Sequence, residues 1–216
     1  MERVTKKQSS EAREFAKEVL NYLNNELSDK YTFAERLVGS AQWNTILKDN
    51  KGFWDIDYQL LLTSNSEEYL KNGLKNATKI KNDFFNCLNE AFKNNKNFRV
   101  ENSTTAVTLI DLRDKYSYDF AIIRLFPQNK EIIRRNNKRN SSINEFTWNQ
   151  LPKFNDAYKK LDKLSPFEKQ DLIENYVLPR KVIEKRKNDN DPSKKSSCEV
   201  FIEEVNNYVR RKNYWL

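Results

Sequence analysis

The sequence predicts an α+β fold: a small mixed β-sheet flanked by helices, followed by a C-terminal helical region. Apolar residues recur at helical spacing from Glu11 to Leu27, and they alternate with polar residues from Trp54 to Thr63. Beyond residue 150 the pattern is helical again. We therefore expect a core over residues 1–150, including the N-terminal helix, and a helical region over residues 151–216 packed on it.

The length and composition indicate one compact protein without a membrane span. A chain of 216 residues can bury one full core with a helical annex. No run approaches the roughly 20 apolar residues that cross a bilayer. The segment from Met1 to Ser10 lacks the apolar stretch of a secretory signal, so we expect a cytoplasmic protein.

Charge and the missing residue types narrow the chemistry. The formal charge of +8 suits an anionic partner such as a nucleotide, a nucleic acid or an acidic surface, although an AT-rich genome could also produce a lysine-rich composition. The chain has no histidine, and Cys87 and Cys198 lie far apart, which disfavours a disulfide or a zinc site. Any metal chemistry would have to use carboxylates.

The middle of the chain predicts one long helix and then strands. A helix is expected from about Asn65 to Asn94, with Ser64 and Glu67 spaced as a capping box. Three strand candidates follow it, the last two joined as a hairpin: Phe98 to Glu101, Ala106 to Leu112 and Ser117 to Phe126.

After Pro127 the sequence predicts a polar, basic loop over residues 128–145, then Trp148 and helices over residues 152–164, 166–187 and 197–212. Pro179 should interrupt the middle helix, since proline lacks the amide hydrogen that a helix interior uses. Ser196 and Glu199 have the spacing of a capping box for the last helix, and the polar segment 188–197 should be a mobile connector.

Three aspartates form the strongest candidate site. Alternation puts Asp55 and Asp57 on one strand face, where two carboxylates repel unless a cation or protons intervene. Two magnesium ions can share such a pair. Asp119 begins another apolar strand and could supply the third carboxylate, while Gly39-Ser40 offers a donor-rich turn for phosphates.

The order of these motifs resembles that of the nucleotidyltransferase superfamily of DNA polymerase beta. The chain reads LVGSAQWNT, then WDIDYQLLL, then, after a long helix, ENSTTAVTLIDLRDKYSYDFAII. Within the superfamily it is most similar to the bacterial relatives of cyclic GMP-AMP synthase and oligoadenylate synthase, the CD-NTases. The segment TWNQLPKFNDAYKKL and the C-terminal helices are loosely similar as well.

The resemblance implies an enzyme that transfers a nucleoside monophosphate from a nucleoside triphosphate to a hydroxyl and releases pyrophosphate. In that family the product is a linear or cyclic oligonucleotide messenger of anti-phage defence. The metal ligands for Mg²⁺ or Mn²⁺ would be Asp55, Asp57 and Asp119, and Gly39, Ser40 and Thr45 would bind the nucleotide.

Other interpretations stay open. The acceptor could be an RNA or a protein, and the chain could be a non-catalytic nucleotide sensor or a general nucleic-acid-binding protein. Lys159, Lys160 and Lys163 are candidates for phosphate contacts, and a solvated helix face explains them equally well. Three tryptophans could stack on a base, but packing is favoured for them: Trp43, Trp54 and Trp148.

Overall fold

The computed structural model describes residues 1–63, 74–126, 129–136, 145–151, 155–188 and 190–213. Its helices and strands confirm the α+β fold with a mixed sheet. The strands are β1 (Phe33–Val38), β2 (Trp54–Leu62), β3 (Phe98–Asn102), β4 (Val107–Asp111), β5 (Tyr116–Leu125), β6 (Lys130–Arg135) and β7 (Phe146–Gln150). The helices are α1 (Lys6–Glu26), α2 (Gly39–Gln42), α3 (Ala77–Phe92), α4 (Asn155–Asp162), α5 (Pro166–Leu172), α6 (Leu178–Arg186) and α7 (Ser197–Asn213).

Strand β5 pairs with three other strands of the sheet. It pairs in parallel with β2 and antiparallel with β4, and the main path of the sheet runs β1-β2-β5-β4-β3. The end of β5 also pairs with β6, which carries β7. Because β2 and β5 are parallel neighbours, residues in register on them point to the same face of the sheet.

One face of the sheet, here called the back face, is packed by α1 and α3. The alternation in β2 leaves Ile56 and Leu60 fully buried on this face. The apolar stripe of α1 and that of α3 join them in one hydrophobic cluster. The opposite face, called the front face, carries Asp55 and Asp57 of β2 and Asp119 of β5, so these carboxylates lie on the face opposite Ile56 and Leu60.

The C-terminal helices form a second hydrophobic cluster. Its buried residues run from Ala157 to Tyr208, and α7 contributes Phe201 and Val205. Ser196 caps α7 as expected, since its hydroxyl accepts a hydrogen bond from the amide of Glu199 while the Glu199 carboxylate accepts one from the Ser196 amide. The division of the chain at residue 150 stays a prediction.

The prediction of one continuous helix from Asn65 to Asn94 is wrong. Residues 74–76 are not helical, and α3 begins at Ala77, where the Asn76 side chain accepts a hydrogen bond from the Lys79 amide. The Ser64 and Glu67 capping box lies outside the described residues. The first helix begins at Lys6, earlier than expected, because Thr5 and Gln8 form a capping box at its N-terminus.

The loop predicted over residues 128–145 is also wrong in part. Residues 130–135 form the strand β6. The charged side chains of this segment give no strand pattern, and hydrogen bonds to β5 and β7 hold it in the sheet. Residues 137–144, including Lys138 and Arg139, lie outside the described residues.

The α-helix predicted over residues 166–187 is interrupted just before Pro179, as expected. A π-helical turn, Ile173–Val177, joins α5 to α6 and accommodates the proline at the start of α6. None of the helices in the described ranges is both long and apolar enough to cross a membrane.

Candidate functional site

The three predicted aspartates lie on the front face and line one cavity. Asp57 and Asp119 are register partners across β2 and β5, and Asp55 is two residues before Asp57 on the same face. The cavity has a volume of 740 Å³ and is bounded by the sheet on one side and by α6 and α7 on the other. The expectation that separate strands bring these carboxylates to one face is therefore confirmed.

Gly39 is required by the position of Asp57. The φ angle of Gly39 is +64°, and a Cβ atom at this residue would lie 2.3 Å from Asp57 Oδ2. Any other residue would strain the backbone and displace the carboxylate. The glycine of the Gly39-Ser40 pair thus allows the loop after β1 to approach β2 closely.

A buried lysine joins this loop to the C-terminal helices. The Lys181 ammonium donates to Ser40 Oγ and to the Thr45 carbonyl, both at 2.7 Å, although the side chain is only 3% exposed. Thr45 is buried, and its amide and hydroxyl both donate to the Ser40 carbonyl. All three residues line the cavity, and the nucleotide-binding role predicted for Gly39, Ser40 and Thr45 stays a prediction.

The cavity raises the pKa of two of its carboxyls. Burial raises the pKa of Asp57 to about 7, and repulsion from Asp55 and Asp119 adds to the effect, while Lys181 opposes it. The pKa of Asp119 is raised mainly by burial, and a 2.6 Å hydrogen bond from Thr108 Oγ1 opposes that shift. Burial and the neighbouring Lys185 lower the pKa of Lys181 to about 8.

The carboxylate oxygens of this cavity are ligands that suit a hard divalent cation, but the structure does not arrange them around one position. Mg²⁺ and Mn²⁺ prefer carboxylate oxygens, which is what Asp55, Asp57 and Asp119 offer. Within the described ranges, however, no group of three or more His, Cys, Asp or Glu side chains is arranged to hold a metal ion. The Asp119 carboxylate instead accepts the bond from Thr108. Side-chain rotation would be needed to bring the three together.

Aromatic rings form another part of the cavity wall. Trp43 stacks on Phe201 of α7 with ring centres 5.5 Å apart, and Tyr158 lies against the other side of this pair. Packing is confirmed for Trp54, which is 6% exposed, and for Trp148, whose indole donates to the Leu74 carbonyl.

The lysines singled out from the sequence are not those at the cavity. Lys159 and Lys163 are exposed, and Lys160 bonds Asn206 instead. The cavity is lined by Lys181 and Lys185 of α6.

A signal for Lys181 was present in the sequence. The buried stripe of α6 comprises Leu178, Lys181 and Glu184, so polar residues occupy positions at which helical spacing predicts apolar ones. The sequence alone gave no indication of what this stripe packs against.

Similarity to known proteins is seen in the fold and not in the sequence. No protein-family model and no curated protein sequence matches the chain. The fold is similar to that of Vibrio cholerae DncV in its 3′-deoxy ATP-bound form, with a TM-score of 0.60 and 14% identity over 85% of this chain and 48% of DncV. For Escherichia coli DncV bound to 3′-deoxy GTP the TM-score is 0.55, with 14% identity over 84% of this chain and 47% of the other.

The CD-NTase CdnG of Bradyrhizobium diazoefficiens, in complex with GTP, has a TM-score of 0.52 and 13% identity over 74% of this chain and 43% of CdnG. The chain therefore spans about half the length of the structures it matches. At these identities the similarity concerns the fold alone, and the protein has the nucleotidyltransferase fold of these CD-NTase structures.

Proposed function

We propose that the protein is a divalent-metal-dependent nucleotidyltransferase that moves a nucleoside monophosphate from a nucleoside triphosphate to a hydroxyl. The observation that carries this proposal is a single cavity lined by Asp55, Asp57 and Asp119, by the Gly39-Ser40 loop and by a buried lysine. The nucleotides bound to the similar structures, GTP and 3′-deoxy ATP, support a triphosphate as the ligand.

The reaction needs a nucleophile, a leaving group and a proton acceptor. The acceptor oxygen forms a bond to the α-phosphorus, the bond between that phosphorus and the β-bridging oxygen breaks, and pyrophosphate leaves. The hydroxyl proton passes to the Asp119 carboxylate, which burial makes more basic by raising its pKa above the usual value.

The remaining cavity residues would hold the donor. Lys181 and Lys185 bring two ammonium groups to the wall that faces the carboxylates, where they would bind phosphate oxygens. The ring pair of Trp43 and Phe201, with Tyr158 beside it, would stack on the base. Asp55, Asp57 and Asp119 would hold Mg²⁺ or Mn²⁺, which would neutralise the triphosphate and activate the hydroxyl when bound.

For the acceptor, we propose a second nucleotide, giving a linear or cyclic oligonucleotide that signals in anti-phage defence. The similarity to the CD-NTase fold supports this choice. Transfer to an RNA end or to a protein is the alternative within the same chemistry. It is favoured by the exposed Arg36 and Lys130 at the cavity, which could bind the phosphates of a longer acceptor.

The test is product formation by the wild type and by Asp57→Asn. Purified protein is incubated with the four labelled nucleoside triphosphates and Mg²⁺ or Mn²⁺, and products are separated after phosphatase treatment. The wild type should release pyrophosphate and make a phosphatase-resistant oligonucleotide, and Asp57→Asn should lose at least about 99% of the rate. Asp162→Asn removes an exposed carboxylate from α4 and should keep the wild-type rate.

Each other outcome has a defined meaning. Wild-type turnover by Asp57→Asn would contradict the proposed site. Turnover only after RNA or protein is added would identify a macromolecular acceptor. Triphosphate binding without product under every condition would indicate a nucleotide sensor.

A further inference from the structure

A second cavity lies on the other side of the lysine pair of α6. It has a volume of 560 Å³, and Lys181, Lys185 and Ser197 line both cavities. Its remaining wall includes Lys51, from the turn before β2, and Lys194, from the connector before α7. An anion held by the shared lysines could therefore extend from the first cavity into the second.

The second cavity is basic. Its lining includes five lysines against two acids. Both acids are already engaged: Asp49 accepts from the amides of Lys51 and Phe53, and Glu184 accepts from the Lys195 amide and the Lys187 ammonium. The acids thus hold the turn and the connector in place, and Lys195 is ion-paired with Glu203, which lies outside the lining. The other four lysines still outnumber the two acids, so the lining keeps an excess of positive charge.

The shared lysines donate to neutral oxygens within the described residues. Lys181 donates to the neutral oxygens of Ser40 and Thr45, and Lys185 donates to the carbonyl of Leu47 at 3.0 Å. In the described part of the chain neither ammonium forms an ion pair. Asp55 and Asp57 attract Lys181 without bonding it. A buried cation that bonds only neutral oxygens is unfavourable, and a bound anion would reduce that cost.

We propose that the second cavity binds the distal end of a linear polyphosphate that begins in the first cavity. This inference rests on the proposed function, because the triphosphate of the donor would bring its terminal phosphate to the shared lysines. Phosphate groups beyond the third would then lie between Lys51 and Lys194. The ligand class is a nucleoside 5′-polyphosphate with four or more phosphates, or free inorganic polyphosphate.

The test compares ligands that differ by one phosphate. Binding of a nucleoside 5′-tetraphosphate and of the matching triphosphate is measured by calorimetry at fixed salt. The wild type should bind the tetraphosphate about tenfold more tightly, because the fourth phosphate gains charge-assisted contacts. The double variant Lys51→Glu with Lys194→Glu should lose this advantage while its triphosphate affinity changes by less than about threefold.

A matched control separates local contacts from net charge. Lys159→Glu with Lys163→Glu makes the same charge change at two exposed lysines outside both cavities, and it should keep the tetraphosphate preference. Inorganic tripolyphosphate distinguishes the sources of the ligand. If tripolyphosphate binds and the double variant weakens that binding, the ligand class includes free polyphosphate. If tripolyphosphate does not bind, the ligand class is restricted to nucleotides.

Two results would overturn the inference. One is equal affinity of the wild type for the two nucleotides, and the other is an equal loss of affinity for both nucleotides in the double variant. Binding is measured without turnover, so these results are independent of whether the protein proves to be a nucleotidyltransferase. The product assay alone decides that question.

Discussion

The two faces of β2 and β5 differ in how their polar groups are satisfied. On the back face, Tyr118 is fully buried and its hydroxyl donates to the Ala12 carbonyl at 2.7 Å. On the front face, Asp57 and Asp119 are neighbours of like charge with raised pKa values. The same strands therefore stabilise the fold with one face and keep unfavourable charges on the other, a pattern typical of a binding site.

A buried lysine on each side of the sheet makes the comparison sharper. Lys81 of α3 is fully buried, donates to the Ser103 carbonyl at 2.9 Å and lies 4.5 Å from the centre of the Phe146 ring. It lines neither cavity, whereas Lys181 lines both. Burial is the main cause of the lowered pKa of each lysine. We infer that Lys181 contacts a ligand directly, whereas Lys81 holds the turn after β3 and acts on the front face only through its charge, which lowers the pKa of Asp119 against the effect of burial.

The largest expected effect is a difference in triphosphate affinity between the variants of these two lysines. Lys181→Met should weaken binding of a nucleoside triphosphate by about 100-fold, because a charge-assisted contact to phosphate is lost. Lys81→Met should change the affinity by less than about threefold. Calorimetry on both variants, with circular dichroism to establish that each is folded, provides the measurement. Equal losses would mean that both lysines act only through the fold.

The next effect concerns the stability of the front face. Asp57→Asn should raise the free energy of unfolding by about 2 kcal/mol at pH 8, since it removes a buried charge that faces two other carboxylates. The folded pKa of about 7 exceeds the usual 3.8, so the folded wild type holds a proton that the unfolded chain releases between these values. Wild-type stability should fall as pH rises through that window.

The gain for Asp57→Asn should therefore vanish at about pH 4 and be complete above pH 7. Urea unfolding in the presence of a chelator at both pH values is the measurement, with Asp162→Asn as the exposed control. A variant less stable than the wild type at pH 8 would show that Asp57 supports the fold, contrary to the contrast between the faces.

Local patterns explain why some of the site was predictable. The alternation in β2 assigns Asp55 and Asp57 to one face without any knowledge of partners, and the structure agrees. The strand Lys130–Arg135 was missed because its stability comes from pairing with β5 and β7, which lie elsewhere in the chain. Lys181 was missed for a similar reason, since its partners are 141 and 136 residues away.

A smaller effect tests the lysine behind the sheet. The pKa of Lys81 is lowered to about 7 from the usual 10.5, so between these values the unfolded chain holds a proton that the folded protein has released. The stability of the folded wild type should rise with pH across this window. Lys81→Met lacks the titrating ammonium group, so its free energy of unfolding should not show this rise with pH.

Urea unfolding of both proteins from pH 7.5 to pH 9.5 gives the measurement. By about pH 8.7 the wild type should have gained about 1.5 kcal/mol relative to Lys81→Met, and the titration of groups that do not interact with Lys81 cancels in the difference. Parallel changes in the two proteins would mean that Lys81 keeps its proton when buried, with the Ser103 carbonyl and the Phe146 ring sufficient to hold the charge.

The smallest expected effect concerns the Tyr118 hydroxyl on the back face. Tyr118→Phe should lower the free energy of unfolding by about 1 kcal/mol, because the Ala12 carbonyl loses a buried donor while the ring packing is kept. Tyr176→Phe is the matched control, since the Tyr176 hydroxyl has no hydrogen bond among the described residues. Triphosphate affinity should be unchanged in both variants. If Tyr118→Phe weakened triphosphate binding as well, the two faces would be coupled through β5, and the separation of packing from chemistry along this strand would be wrong.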